Sequence, residues 1–243
     1  MKPLLIIKTG TTFPSVRQEY GDFDDFILNQ IKVSNCDVII APIYEKLWLP
    51  EYDTISGAII TGSHAMVTEE EEWSEYVAEW LPNIPSGSLP VLGICYGHQL
   101  LAHAFGGQVG YHPGGMEFGT VDIQLTEEGQ KDQLLGFLPN NFLGHVAHTQ
   151  TVLKLPAGAK LLAQNEFESH HSFVVRGNIW GVQFHPEFNA GITSAYIDEQ
   201  KQELIEAGRN IEQLRQTVQE QIYGKMLLRR FLEIVMLKEE NLK

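Results

Sequence analysis

This 243-residue sequence predicts an α/β fold, a doubly wound, mostly parallel central sheet flanked by helices. Three observations carry the prediction. Short apolar runs alternate with helical stretches through the first hundred residues. The runs are continuous in hydrophobicity, as strands covered on both faces are. One of them ends in a glycine-flanked turn that passes directly into a helical pattern. The runs at 4–8, 37–41, 57–61 and 91–94 read as buried parallel strands, with helices near 23–32, 73–81 and 97–105 between them. Right-handed crossovers put helices on both faces of such a sheet and gather ligands at the carboxyl ends of its strands. From 107 to 185 the pattern changes to alternating strands with Gly and Pro turns, at 119–125, 160–165, 172–176 and 179–185. After Asn189 two helices are expected, about 193–208 and 211–237, with apolar positions at Ile211, Leu214, Val218 and Ile222. The chain reads as a single domain, 1–243, whose residues 190–243 form a helical C-terminal extension. Those helices either pack over a sheet face or serve an oligomer or partner surface.

Bulk properties narrow the function. A hydrophobic content of 43% suffices for a full core, and a net charge of −14 without a basic stripe argues against nucleic acid as a direct partner. The opening apolar run is too short for a signal-peptide core or a membrane span and reads as the first strand. With two cysteines far apart, Cys36 and Cys95, a structural disulfide is not expected, and the compartment reads as a reducing cytoplasm. The histidines lack cysteine partners in zinc spacing, so no metal and no cofactor are expected. The acidic run Glu69, Glu70, Glu71 and Glu72 reads as a solvated helix start suited to the N-terminal dipole.

The glycine-flanked turn is Gly93-Ile94-Cys95-Tyr96-Gly97-His98-Gln99. A strand that turns sharply into a helix brings backbone segments too close for Cβ atoms, so Gly93 and Gly97 leave room on either side. Cys95 then holds the strained corner with its sulfur projecting outward, near unpaired N–H groups that suit a nucleophile. The second segment is Val182-Gln183-Phe184-His185-Pro186-Glu187. Residues two apart in extended chain point to one side, so Glu187 can hold one imidazole nitrogen of His185 and leave the other for a thiol. Nucleophile, base and orienting group each have a candidate in Cys95, His185 and Glu187.

With Ile59-Ile60-Thr61-Gly62-Ser63-His64 in the position of an oxyanion loop, these segments resemble the class I, or triad, glutamine amidotransferases. The resemblance covers roughly residues 1–190 and is nearest to free-standing relatives of the GMP synthase glutaminase domain, a branch that includes gamma-glutamyl peptidases. It implies a flavodoxin-like sheet and hydrolysis of the glutamine side-chain amide through a Cys95 thioester. Backbone N–H groups of Tyr96 and Ser63, in the Gly62-Ser63 loop, would bind the oxyanion. Gln99, one helical turn after Cys95, would hold the substrate. Ala147-His148-Thr149 stands where relatives present backbone to the substrate's amino-acid end. Glu117 either faces the mouth to meet an ammonium group or is a plain strand-edge carboxylate. These 243 residues contain neither a Gly-x-x-x-x-Gly-Lys-Ser/Thr loop nor a Ser-Gly-Gly-x-Asp-Ser loop, so an ammonia-accepting synthetase would be a separate protein chain. A gamma-glutamyl peptidase would use the same triad on a different leaving amine. A redox-sensing or regulatory protein would need only the elbow cysteine.

Overall fold

The continuous apolar run of the first strand is divided between two cores. Leu4 and Ile6 enter one and Leu5 and Ile7 the other, all fully buried, because successive side chains of a strand leave opposite faces. The computed structural model describes residues 2–31 and 37–241. The expected helix end at Lys32 and the cysteine at 36 lie outside the described residues.

The four expected parallel strands are β1 (Leu4–Lys8), β2 (Val38–Pro42), β3 (Gly57–Ile60) and β4 (Val91–Ile94), but β2 is not buried as expected: it is an edge strand of the sheet, and Ile40 is 41% exposed. After them come β5 (Gln108–Tyr111), β6 (Glu117–Leu125), β7 (Asn141–His148), β8 (Gln150–Lys154), β9 (Lys160–Gln164), β10 (Ser172–Val175) and β11 (Ile179–Val182). One sheet of nine strands has the order β2-β1-β3-β4-β11-β10-β9-β6-β7, and β5 pairs with β8 in a separate ribbon. The pairings from β2 through β11 are parallel, and those from β11 outward to β7 are antiparallel. The alternating strands of the second half therefore extend the parallel sheet, and β11 brings its end beside that of β4, with Val182 opposite Ile94.

Helices α1 (Pro14–Tyr20), α2 (Phe23–Ile31), α3 (Glu72–Trp80), α4 (Tyr96–Ala104) and the short α5 (Glu127–Gln130) lie among these strands. Residues of α2 join the core of Leu4 and Ile6, and those of α3 and α4 join the core of Leu5 and Ile7, so the sheet is covered on both faces. The acidic run lies exposed at the start of α3, where Glu71 accepts a 2.6 Å hydrogen bond from the Trp73 indole.

The two helices expected after Asn189 are four: α6 (Ala190–Glu199), α7 (Lys201–Glu206), α8 (Ile211–Thr217) and α9 (Tyr223–Asn241). Gln200 leaves helical dihedrals at φ −96°, ψ 14°, and the bend lets Ile197 and Leu204 enter one cluster with Phe118, Ile211 and Leu214. The second break follows Thr217, whose hydroxyl returns to the Leu214 carbonyl, while the Gln219 N–H donates to Thr120 on β6. The chain there is held against the sheet, Val218 is only partly buried, and Ile222 is 65% exposed. Helix α9 then crosses to the opposite face and buries Leu227, Leu228, Phe231 and Val235 beside Leu4 and Trp180. No helix among the described residues is long and apolar enough to cross a membrane.

Because α9 completes one of the two cores, Phe231→Ala should lower stability by about 3–5 kcal/mol in a single cooperative urea transition. A separate early transition would instead show that the extension unfolds on its own.

Candidate active site

The site forms where β1, β3, β4 and β11 end together. Cys95, between β4 and α4, has φ 49° and ψ −98°, a conformation that costs an L-residue about 1–3 kcal/mol. Neighbouring contacts enforce it. A Cβ on Gly93 would stand 2.4 Å from the Gly97 carbonyl oxygen, and one on Gly97 would stand 2.6 Å from the Ile60 carbonyl oxygen. The Cys95 N–H donates to the Val182 carbonyl at 2.8 Å, which ties the corner to β11. Cys95 is not presented at the surface as the sequence suggested: it is 6% exposed and lines a cleft of about 290 Å³. The Gln183 amide reaches its sulfur at 3.5 Å.

His185 and Glu187 meet, but not as neighbours on an extended strand. Strand β11 ends at Val182, and a turn at Pro186 and Glu187 brings the carboxylate back onto the ring, with Nδ1 2.8 Å from Oε1. The ring stacks on Phe188 at 4.1 Å, and its backbone N–H donates to the His145 carbonyl. Burial alone would lower the His185 pKa, yet the adjacent Glu187 and Cys95 raise it to about 10. Oε2 of Glu187 has no hydrogen-bond partner among the described residues, so His185 is the carboxylate's chief counterion.

The third segment closes over this pair. Ser63 Oγ donates to the Thr9 carbonyl at 2.8 Å and accepts from the Ala65 N–H at 3.1 Å. A Cβ on Gly62 would lie 3.1 Å from His185 Cε1, so the loop sits directly against the imidazole. The backbone N–H groups of Ser63 and Tyr96 have no acceptor among the described residues. Both residues line the cleft with Cys95.

Gln99, Ala147, His148 and Thr149 also line the cleft. Gln99 Nε2 donates to the Gln150 carbonyl at 2.8 Å and to Gln183 Oε1 at 3.0 Å, which leaves its own carbonyl oxygen for a ligand. Glu117 is neither at the mouth nor a plain strand-edge carboxylate. Strands β6 and β7 pair it directly opposite His148, and it is buried, taking hydrogen bonds from His148 Nε2 and Asn165 Nδ2, each at 2.9 Å. His148 Nδ1 lies 3.1 Å from the Gln150 carbonyl, so both ring nitrogens face acceptors and the ring is held as imidazolium. Burial opposes that charge, but Glu117 outweighs it and raises the His148 pKa; burial would raise the Glu117 pKa, and His148 and His171 bring it down. Sequence reasoning did not anticipate Gln183 or the floor it forms with Gln99. Among the described residues, no group of three or more His, Cys, Asp and Glu could hold a metal ion.

Two outcomes follow from these charges. Glu187→Gln removes an anion that raises the His185 pKa, so the alkaline limb of the rate profile should move to lower pH, with kcat/KM down about 10–100-fold. The stabilisation tied to His185 is fully present below about pH 6.5 and is lost as pH rises through about 10. Glu117→Gln should cost about 3–5 kcal/mol in denaturant unfolding, because it leaves a buried imidazolium unpaired. His148 contributes below the ordinary imidazole range and Glu117 above the ordinary carboxylate range, so the difference between wild type and variant should be largest between those ranges.

Comparison with known proteins agrees with the resemblance in the sequence. The family model described as Glutamine amidotransferase class-I matches residues 17–203. One relative is a component of the GMP synthase [glutamine-hydrolyzing] of Sulfurisphaera tokodaii, 33% identical over 171 residues that cover 69% of this chain and 85% of that protein. The chain is 43% identical over 98 residues to GMP synthase [glutamine-hydrolyzing] of Aeropyrum pernix, which covers 40% of this chain but only 18% of that longer protein. Gamma-glutamyl peptidase 4 of Arabidopsis thaliana is 29% identical over 157 residues, covering 61% of this chain and 60% of the peptidase. The crystal structure of a glutamine amidotransferase from Thermotoga maritima superimposes with a TM-score of 0.76 at 22% identity, covering 97% of this chain and 98% of that one, which shows the shared fold. The chain belongs to the class-I glutamine amidotransferase family.

Proposed function

We propose that this chain hydrolyses γ-glutamyl amide bonds, that of glutamine among them, through a thioester on Cys95. The observation that carries the reading is the buried His185–Glu187 pair beside a strained cysteine, facing two backbone N–H groups without acceptors among the described residues. Cys95 Sγ attacks the side-chain carbonyl carbon, and the Ser63 and Tyr96 N–H groups stabilise the oxyanion, each worth about 10²–10³ in rate. The C–N bond breaks as His185 gives its proton to the departing nitrogen. His185 then takes a proton from water, hydroxide adds to the thioester, and the C–S bond breaks to release glutamate. Glu187 keeps the ring oriented and charged through the first half of the cycle. The free carbonyl of Gln99 suits the ammonium of the substrate's amino-acid end, and Ala147, His148 and Thr149 line the same cleft with their backbone available to it.

A second reading is favoured by one observation. The cleft continues past Cys95 to Tyr196 and Glu203 of the C-terminal extension, space that glutamine does not need and a γ-glutamyl peptide would use. A partner synthetase that takes up the ammonia remains compatible with the first reading, in keeping with the Sulfurisphaera tokodaii relative, which is named as one component of a GMP synthase. The cytoplasm is the compartment that suits an unmodified catalytic thiol.

Glutamate release from glutamine and from a panel of γ-glutamyl peptides should be abolished by Cys95→Ala. Preference for glutamine would support the glutaminase and preference for peptides the peptidase. Activity that survives Cys95→Ala would overturn both.

A further inference from the structure

We propose that the outer half of the cleft is a leaving-group subsite selecting γ-glutamyl amides whose departing amine carries a second, cationic nitrogen on an aliphatic stem. The inference rests on the thioester reading above and specifies its substrate. The part of the cleft around Cys95 and Gln99 is the one the thioester reading assigns to the glutamyl group. The outer half is built from other parts of the chain: Phe13 before α1, His64 after β3, and Tyr196, Gln200 and Glu203 from the extension. When glutamine is cleaved the leaving group is ammonia, which has no atoms to reach these residues.

Their chemistry is specific. Phe13, His64 and Tyr196 form a mutually packed aromatic wall, with ring centroids 4.2 Å apart for Phe13 and His64, 5.3 Å for Phe13 and Tyr196, and 5.8 Å for His64 and Tyr196. Tyr196 is fixed by its hydroxyl, 2.7 Å from Thr12 Oγ1, so the wall is preorganised. Such a wall accepts methylene groups along its faces and favours a cation near the ring quadrupoles. Glu203 lines the same cleft, and its carboxylate meets only the Gln200 amide, at 3.4 Å, and joins no ion pair among the described residues. Among the described residues, no lysine or arginine lines the cleft. Burial and the nearby charge of His185 lower the His64 pKa. A stem of several methylenes ending in an ammonium group matches this sequence of surfaces; a carboxylate there would face Glu203 and the net charge of −14.

The reaction balances as hydrolysis. The γ-glutamyl C–N bond breaks as the C–S bond forms, the diamine leaves with a proton from His185, and water replaces sulfur to give glutamate.

The test compares kcat/KM for glutamate release from the γ-glutamyl amides of 1,5-diaminopentane, n-pentylamine and 5-aminopentanoate, with glutamine alongside and Cys95→Ala as the blank. The expected order is diamine first, pentylamine second and aminopentanoate last, with at least about fivefold between the first two. Glu203→Gln should collapse that ratio toward one, and because the ratio is taken within each variant it is insensitive to losses of folded protein. Equal rates on the three amides, or a ratio that survives Glu203→Gln, would overturn the subsite. Cys95-dependent cleavage of glutamine alone would also overturn it while leaving the thioester reading standing. Failure to cleave any of the four would remove both.

Discussion

The corner at Cys95 is the constraint from which the rest of the site follows. An L-residue at φ 49°, ψ −98° does not hold that conformation unaided, and here it is over-determined by two contacts that exclude any Cβ and by a hydrogen bond from Cys95 to β11. The same hydrogen bond sets the ends of β4 and β11 level, so the turn carrying His185 and Glu187 arrives beside the sulfur. Helix α4 starts at the corner, which leaves the Tyr96 N–H without an acceptor among the described residues. A substitution at Gly93 or Gly97 would therefore disturb several groups at once without touching a substrate.

Around this corner the charges are arranged in two buried pairs of matching type. His185 with Glu187 lies next to the sulfur, and His148, which lines the cleft, is paired with the buried Glu117. Burial alone would favour the neutral forms of His185, His148 and Glu117, and in each the charged neighbours outweigh it. The difference lies in what else they touch. His148 has both nitrogens bound to protein, whereas His185 has one nitrogen on Glu187, Cys95 among the neighbours that raise its pKa, and its ring face on Phe188.

Much of this architecture was legible in the sequence, for physical reasons that differ by segment. Strands β1, β3 and β4 announced themselves because both faces are buried, and the elbow because only glycine fits on either side of Cys95. Helix α1 was not read, although Pro14 at its first turn was a usable sign. The breaks at Gln200 and after Thr217 were hidden because hydrogen bonds to β6 and burial in a distant cluster decide them. The pairing of Glu117 with His148 depends on the β6–β7 register, which no local pattern specifies, so the carboxylate's true partner emerged only from the fold. His185 and Glu187 were paired correctly by spacing, though a turn and not an extended strand brings them together.

The identity of the covalent intermediate is the most direct test of how this site works. Enzyme mixed with a γ-glutamyl amide, acid-quenched within one turnover and digested for mass spectrometry, should carry one γ-glutamyl group on the peptide containing Cys95. Turnover with that peptide unmodified throughout, and with Cys95→Ala still active, would contradict it.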